Sequence, residues 1–121
     1  MKQCLVIDDS SVVRKVARRI FEELDFTVAE AEDGGQALDV CQRTMPDMIL
    51  VDWNMPGVSG VEFVAALRAR DGGDKPTVVF CASENDVAQI TRAMRAGADD
   101  YLLKPFNREI VEAKLQEIGL L

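Results

Sequence analysis

The hydrophobic pattern alternates between short apolar runs and longer segments with the period of an amphipathic helix. The short runs predict five buried strands: Gln3–Ile7, Phe26–Ala29, Asp47–Val51, Thr77–Ala82 and Asp100–Leu103. The longer segments predict five helices: Ser11–Leu24, Gly35–Arg43, Gly60–Arg70, Asp86–Ala96 and Asn107–Ile118. Strands that are apolar on both faces and alternate with helices are typical of a parallel sheet covered on both sides. We therefore predict one doubly wound α/β domain over residues 1–121, with no output domain.

The first predicted helix shows the amphipathic pattern most clearly. Its apolar face is formed by Val13, Ala17, Ile20 and Leu24, with Val12, Val16 and Phe21 beside them. Polar residues favour helix starts, and glycine favours the position after a helix end. We therefore expect Ser10 to cap the first helix, Asn107 to cap the last, and Gly97 to end the fourth.

Composition excludes several classes of function. The 121 residues carry 14 Lys and Arg against 21 Asp and Glu, a net charge of −7, whereas nucleic acids and anionic membranes require a basic surface. The sequence contains no histidine, which rules out His-based acid–base catalysis, His-containing zinc sites and phosphohistidine chemistry on this chain. Cys4, Cys41 and Cys81 are widely spaced in apolar segments, which favours buried reduced thiols. No apolar run is long enough to span a bilayer, and Asp8 and Asp9 interrupt the first run too early for a signal peptide, so we expect a cytoplasmic protein. We also expect it to be a monomer.

Charged residues follow three of the predicted strands at the point where each strand ends. Asp8 and Asp9 follow the first strand, Asp52 follows the third, and Lys104 follows the fifth. Parallel strands end at the same edge of a sheet, where open α/β proteins bind ligands, so these four side chains should converge. A single acid after a strand is more often a turn former or a helix cap, but three acids with a lysine point to a site. Converging carboxylates need a cation, and oxygen ligands alone favour Mg²⁺ with a phosphate partner.

Asp52 is the candidate nucleophile of this site. A carboxylate beside Mg²⁺ can attack phosphorus and carry an acyl phosphate, with the metal bridging the attacking carboxylate and the phosphoryl oxygens. Lys104 can neutralise a phosphoryl oxygen that the metal does not reach. Pro105 follows the lysine, and an X-Pro bond adopts the cis form at low energetic cost.

Five short segments, in order along the chain, resemble the receiver domain of two-component response regulators. They are Asp8-Asp9-Ser10, Ala31-Glu32-Asp33-Gly34, Asp52-Trp53-Asn54-Met55-Pro56, Gly97-Ala98-Asp99-Asp100-Tyr101 and Lys104-Pro105-Phe106. The similarity runs from Lys2 to about Ile118. It implies a doubly wound five-stranded parallel sheet of order 2-1-3-4-5, flanked by five helices.

The resemblance also implies a role for each site residue. Asp52 is implied to be the phosphoacceptor, and Asp8 and Asp9 are implied to hold Mg²⁺ together with it. The backbone carbonyl of Asn54 is a further implied metal ligand, and Lys104 is implied to pair with the phosphoryl group. The implied phosphodonor is a phosphohistidine of a partner histidine kinase or histidine phosphotransfer protein.

One position departs from the pattern of the family, which places Thr or Ser at the end of the fourth strand. The hydroxyl group there bonds the phosphoryl oxygen, and its movement signals phosphorylation. Counting back from Lys104 and Gly97, that position is Ala82, which has no hydroxyl to donate. Ser83 is the next residue and the candidate substitute. Tyr101 matches the aromatic partner of this switch, although a half-exposed strand residue would look the same in sequence.

The implied function is that of a stand-alone receiver that switches or relays a signal through protein contacts. We expect no enzymatic activity beyond its own phosphorylation and autodephosphorylation. The downstream target is expected at the fourth helix, the fifth strand with Tyr101, and the fifth helix. The basic residues of the first helix are either a second docking face or a solvated helix side: Arg14, Lys15, Arg18 and Arg19.

Two alternative functions remain open at this point. A small Mg²⁺-dependent phosphohydrolase would share the aspartyl-phosphate chemistry, but it usually needs a second acid two residues after the nucleophile, where this chain has Asn54. A degenerate receiver that never needs phosphate is supported by Ala82, while the complete set of acids and Lys104 speak against it.

Overall fold

A computed structural model describes residues 2–83 and 85–121, and these form ten strands and helices in strict alternation. The strands are β1 (Lys2–Ile7), β2 (Phe26–Ala31), β3 (Met48–Asp52), β4 (Thr77–Ala82) and β5 (Asp100–Leu103). The helices are α1 (Ser11–Glu23), α2 (Gly34–Arg43), α3 (Gly60–Arg68), α4 (Val87–Ala96) and α5 (Arg108–Glu117). The predicted order and type of these elements are confirmed.

The strands form one parallel sheet in the order β2-β1-β3-β4-β5. The chain passes from β1 outward to β2 and then crosses back to β3 on the other side of β1, so the strand order reverses between β1 and β3. In an open α/β sheet, ligands bind outside the carboxyl ends of the strands at this reversal. The predicted fold class and strand order are confirmed.

Helices cover both faces of the sheet and bury a separate apolar core on each. On one face, Leu5 and Ile7 belong to a core that includes Phe63 of α3 and residues of α2 and α4. On the other face, Val6 belongs to a core that includes Phe21 of α1 and residues of α5. Successive residues of β1 therefore enter different cores, which is why the run Cys4–Ile7 is apolar at every position and not at alternate ones.

Two predicted strands end too early. β2 continues to Ala31 because Glu30, although charged, keeps its backbone pairing with Val6 of β1. Asp52 is the last residue of β3 and does not follow it, because its backbone pairs with Cys81 of β4. Backbone pairing decides a strand end, whereas the hydrophobic pattern records only where the apolar side chains stop.

Helix α3 ends at Arg68, two residues before the predicted end at Arg70. The guanidinium group of Arg68 donates hydrogen bonds to the backbone carbonyls of Gly97 (2.9 Å), Gly73 (2.8 Å) and Pro76 (2.9 Å). This side chain therefore ties the end of α3 to the segments that lead into β4 and β5.

The predicted helix caps are confirmed. The Ser10 hydroxyl accepts a hydrogen bond from the backbone of residue 13, and the Asn107 side chain accepts one from the backbone of residue 110. Gly97 follows α4 with a φ of 120°, a conformation that side chains disfavour. The capping box of α3, formed by Ser59 and Glu62, was not predicted.

The apolar stripe of α1 is only partly buried. Ala17, Ile20 and Phe21 lie in the core as predicted. Val12 and Val16, by contrast, are 69% and 47% exposed. They lie on a flank of the helix that the core does not reach, so their predicted place beside the buried face is corrected to a surface position.

The described residues contain three free thiols and no helix suited to a bilayer. Cys4, Cys41 and Cys81 are all buried, as predicted. Burial raises the pKa of the Cys41 thiol to about 11 and raises the pKa of the other two thiols further still. Within residues 2–83 and 85–121, no helix combines the length and the apolar character needed to cross a membrane.

Candidate functional site

Three carboxylates and one ammonium group meet at the carboxyl edge of the sheet. Asp8 and Asp9 follow β1, Asp52 ends β3, and Lys104 follows β5. One carboxylate oxygen from each acid lies within 4.8 Å of the other two. The structure thus brings together the four side chains whose convergence the strand ends predict.

Lys104 bridges two of the three carboxylates. Its Nζ lies 2.8 Å from Oδ2 of Asp8 and 2.8 Å from Oδ1 of Asp52. These two acids are 3% and 6% exposed, whereas Asp9 is open to solvent. The backbone N–H of Lys104 donates to the carbonyl of Ala82 (2.9 Å), and its bond to the following proline is cis. The pairing of β5 with β4 therefore places the lysine at the site.

Hydrogen bonds hold Asp8 at its backbone and at both carboxylate oxygens. Its N–H donates to the carbonyl of Ala31 (3.1 Å), and its Oδ1 accepts from the backbone N–H of Ser10 (2.9 Å). Its own carbonyl accepts a hydrogen bond of 2.7 Å from Nη1 of Arg14. Arg14 was predicted only as part of a surface face, although its place in the first turn of α1, six residues after Asp8, puts it within reach of the acid-bearing loop.

The backbone that carries Asp52 is packed too tightly for a larger residue at Gly60. The N–H of Trp53 donates to the carbonyl of Cys81 (3.0 Å), and the N–H of Gly60 donates to the carbonyl of Trp53 (3.2 Å). A Cβ atom at Gly60 would lie 2.4 Å from the Asp52 carbonyl oxygen and 2.9 Å from the Phe80 ring. Glycine is therefore required for α3 to begin directly against the end of β3.

The electrostatic balance of the site is negative. Burial raises the pKa of Asp52, the hydrogen bond from Lys104 opposes this effect, and the charges of Asp8 and Asp9 raise the pKa further. Burial alone would lower the pKa of Lys104, but hydrogen bonds to Asp52 and Asp8 outweigh it and raise the pKa above its usual value. Three acids facing one lysine leave negative charge that a further cation would relieve.

The oxygen atoms of the site fit a magnesium ion. Carboxylate oxygens are the ligands that Mg²⁺ prefers, and the cluster contains neither histidine nor thiol ligands. Lys104 contacts only one oxygen of Asp52 and does not contact Asp9. Asn54, whose backbone carbonyl is a predicted ligand, lies in the loop between β3 and α3 with an exposed side chain.

The side chains predicted for the switch make no hydrogen bond or ion pair with this cluster of charges. Ala82 is fully buried at the end of β4. The Ser83 hydroxyl donates a hydrogen bond to the carboxylate of Asp86, the residue that precedes α4. Tyr101 is 41% exposed on β5, and Nζ of Lys114 lies 5.5 Å from the centre of its ring.

Most basic residues of α1 are paired within the chain. Arg14 and Arg18 both bind the carboxylate of Glu30, at 3.0 Å and 2.6 Å. Arg19 lies 3.6 Å from the carboxylate of Glu23. Intramolecular acids thus balance much of this charge, which favours the solvated helix side over a basic docking face.

Residues 4–116 match the family model of the response regulator receiver domain. The chain belongs to this family. The receiver is 34% identical over 115 residues to the chemotaxis protein CheY of Pseudomonas aeruginosa, an alignment that covers 94% of this chain and 93% of the relative. It is 32% identical over 116 residues to a CheY homolog of Campylobacter jejuni, with 94% and 89% covered.

Solved structures of receivers share this fold. The chemotaxis response regulator CheY4 of Vibrio cholerae superposes with a TM-score of 0.91 at 30% identity over 98% of each chain. The receiver domain of a sensor histidine kinase from Pseudomonas aeruginosa superposes with a TM-score of 0.88 at 28% identity over 98% of each chain, and its structure has a magnesium ion coordinated in the active-site cleft. The predicted family, CheY-like response regulators of two-component signalling, is confirmed.

Proposed function

We propose that this receiver is phosphorylated on Asp52 in a Mg²⁺-dependent reaction and transmits or relays the signal through protein contacts. The observation that carries the proposal is the pair of buried acids bridged by Lys104, with Asp9 beside them. A structural ion pair needs one acid for one lysine. Three acids at the reversal of strand order instead provide a nucleophile and ligands for a cation.

The proposed reaction transfers a phosphoryl group from a phosphohistidine of a partner histidine kinase or histidine phosphotransfer protein. A carboxylate oxygen of Asp52 attacks phosphorus, and a P–O bond forms while the P–N bond breaks. The electron pair of the broken bond leaves with the histidine nitrogen. Lys104, whose Nζ already lies 2.8 Å from Asp52, can neutralise a phosphoryl oxygen. Attack by water on the aspartyl phosphate later releases inorganic phosphate and restores the carboxylate, so no separate substrate is turned over.

Asp8, Asp9 and Asp52, with the backbone carbonyl of Asn54, are the residues that would hold Mg²⁺. When bound, the ion supplies divalent positive charge that offsets the charges of the carboxylate and the phosphoryl group. The oxygen-only donor set supports this assignment, as does the magnesium ion in the cleft of the similar receiver structure.

An apolar groove beside the site supports docking of the phosphodonor protein at the start of α1. The groove has a volume of about 440 Å³ and is lined by Val12, Val13, Val16, Lys104, Pro105 and Phe106. Lys104 belongs to both the groove and the charged cluster, so a protein seated in the groove would lie next to Asp52. The exposed valines provide apolar contact area there.

The face formed by α4, β5 and α5 is the proposed surface for the downstream target. Large apolar side chains on these three elements are partly exposed: Met94 (39%), Tyr101 (41%), Leu103 (39%) and Ile110 (44%). Tyr101 and Leu103 lie on β5, three residues and one residue before Lys104 in the chain. A change at the phosphorylated site therefore has a short path to this face.

Ser83 is the proposed source of the hydroxyl group that Ala82 lacks. To reach a phosphoryl oxygen, the Ser83 side chain would have to give up its hydrogen bond to Asp86. Exchanging one hydrogen bond for another stabilises the phosphorylated state less than a new hydrogen bond from a previously unbonded hydroxyl group would. We therefore propose that phosphorylation produces a weaker conformational response in this receiver than a threonine at position 82 would allow.

Labelling with a small phosphodonor tests the proposed phosphorylation. Incubation with acetyl phosphate and Mg²⁺ should phosphorylate the wild type but not Asp52→Asn, and chelation of Mg²⁺ should prevent the reaction. The exposed Asp74 provides a matched control, since it precedes the start of β4 at the opposite edge of the sheet, and Asp74→Asn, which removes the same charge, should be labelled normally. Hydroxylamine should remove the label because it cleaves acyl phosphates. A label that persists in Asp52→Asn, or that resists hydroxylamine, would overturn the proposal.

A further inference from the structure

We propose that Arg14 is a positioning residue that holds the Asp8–Asp9 peptide in the orientation needed for both carboxylates to bind Mg²⁺. This inference rests on the magnesium site proposed above. Arg14 Nη1 donates a hydrogen bond of 2.7 Å to the Asp8 carbonyl oxygen, and the Arg14 side chain is only 12% exposed. That carbonyl belongs to the peptide bond between the two acids. Its direction therefore sets where Asp9 points as the chain leaves β1.

Arg14 is itself oriented by a second ion pair. Its Nε donates to Oε1 of Glu30 at 3.0 Å, while the other oxygen of Glu30 accepts from Nε of Arg18 at 2.6 Å. The hydrogen bond from Arg18, joined by the one from Arg14, lowers the pKa of Glu30 despite partial burial, so this carboxylate stays charged. The planar guanidinium group of Arg14 can thus hold Glu30 of β2 and the carbonyl of Asp8 at fixed relative positions.

The charge of Arg14 and its hydrogen bond to Asp8 should have opposite effects on the affinity for Mg²⁺. The positive guanidinium group repels Mg²⁺, so its loss would tighten binding if charge alone mattered. Loss of the hydrogen bond to Asp8 would instead leave the acid-bearing loop less ordered and weaken binding. Groups that orient metal ligands typically change affinity by about 10- to 100-fold when they are removed. Because Arg14 is mostly buried and bonded on two sides, we expect position to dominate and Arg14→Ala to weaken Mg²⁺ binding about tenfold.

A magnesium titration followed by Trp53 fluorescence measures the effect, since the tryptophan adjoins Asp52. Arg19→Ala is the matched control because it removes the same charge from the same helix at a side chain that is 85% exposed. It should bind Mg²⁺ as the wild type does. Arg14→Lys keeps the charge but not the planar group, so its affinity should lie between those of Arg14→Ala and the wild type. In the metal-free proteins, the Asp9 amide resonance should shift in Arg14→Ala and stay in place in Arg19→Ala.

The inference is overturned if folded Arg14→Ala binds Mg²⁺ as tightly as Arg19→Ala or more tightly. Should Arg14→Ala fail to fold, Arg14→Lys decides, and an affinity equal to that of the wild type would overturn the inference. If the wild type binds Mg²⁺ and the Arg14 variants bind it with the same affinity, the role of Arg14 is refuted but the proposed function is not. A wild-type protein without any magnesium response would refute the proposed metal site and the role of Arg14 with it.

Discussion

Replacing Asp52 by asparagine should make the metal-free receiver more stable at neutral pH, although it removes the proposed phosphoacceptor. Asp52 is 6% exposed and lies within 4.8 Å of two other carboxylate groups. At an effective dielectric constant of about 20, a like charge at 4.8 Å opposes its ionisation by about 3.5 kcal/mol and a closer one opposes it more, whereas Lys104 at 2.8 Å favours it by about 6 kcal/mol. Solvent weakens the repulsion from the exposed Asp9, while burial of Asp52 adds the cost of removing its charge from water. The balance is a net destabilisation on the order of 1 kcal/mol, which the neutral amide would relieve.

The pH dependence of this effect follows from the raised pKa of Asp52. A group that is harder to ionise in the folded state than in the unfolded state destabilises the fold once it is charged. This destabilisation is therefore absent below the ordinary pKa of 3.8, grows between 3.8 and the higher pKa of Asp52 in the folded state, and is fully present above that pKa. Asp52→Asn should accordingly gain stability over the wild type at pH 7 and lose that advantage as the pH falls toward 3.8.

Thermal unfolding in a chelating buffer, followed by circular dichroism, measures the difference. For a chain of this size, 1 kcal/mol corresponds to a Tm higher by about 4 °C. Asp74→Asn, at an exposed position, should leave the Tm unchanged. Saturating Mg²⁺ should reverse the order, because a ligand at 100 times its Kd stabilises the wild type by about 2.7 kcal/mol and the variant lacks one charged ligand. An Asp52→Asn protein that is less stable than the wild type at pH 7 without metal would refute this electrostatic account.

The remaining predictions concern the metal ligands and the switch. Asp9→Ala should weaken Mg²⁺ binding markedly more than Asn54→Ala does, because the Asn54 ligand is a backbone carbonyl that side-chain truncation preserves. Tryptophan fluorescence during a magnesium titration measures both, and equal affinities of the wild type and Asp9→Ala would contradict the site. Ala82→Thr should enlarge the amide chemical-shift changes in β5 when beryllium fluoride is added as a phosphate mimic, since a charge-assisted hydrogen bond contributes about 1.5–3 kcal/mol. Ser83→Ala should make these changes smaller. A full response in the wild type that neither substitution alters would show that the site switches without a hydroxyl group.

The order and type of the strands and helices follow from the sequence alone, because the signals for them are local. Strands with apolar residues on both faces require helices on both sides of the sheet, and the structure places helices there. Ser10, Asn107 and Gly97 act through bonds and dihedral angles within one turn of their own helix, so their roles follow from neighbouring residues alone. The predicted ends of the strands were less accurate. Glu30 is an example, because its pairing with β1 depends on the adjacent strand and not on its own side chain.

The convergence of the four charged side chains was also predictable, although they lie far apart in the chain. In a parallel sheet all strands end at one edge, so residues that follow different strands become neighbours. Asp8, Asp9, Asp52 and Lys104 needed only this rule to be brought together. The strand order itself came from the family resemblance, since a hydrophobic pattern does not say which strands are adjacent.

Which of these charged groups contact one another depends on the three-dimensional packing and could not be predicted from the sequence. Lys104 contacts Asp8 and Asp52 but not Asp9. Arg14 donates one hydrogen bond to the carbonyl of Asp8 and another to the carboxylate of Glu30 on β2. Each contact joins residues from separate elements, and its existence depends on distances of a few ångströms. The same limit explains Val12 and Val16 of α1, which fit the apolar pattern of their helix but remain exposed. Helical periodicity records the direction of a side chain, whereas burial depends on whether another element packs against it.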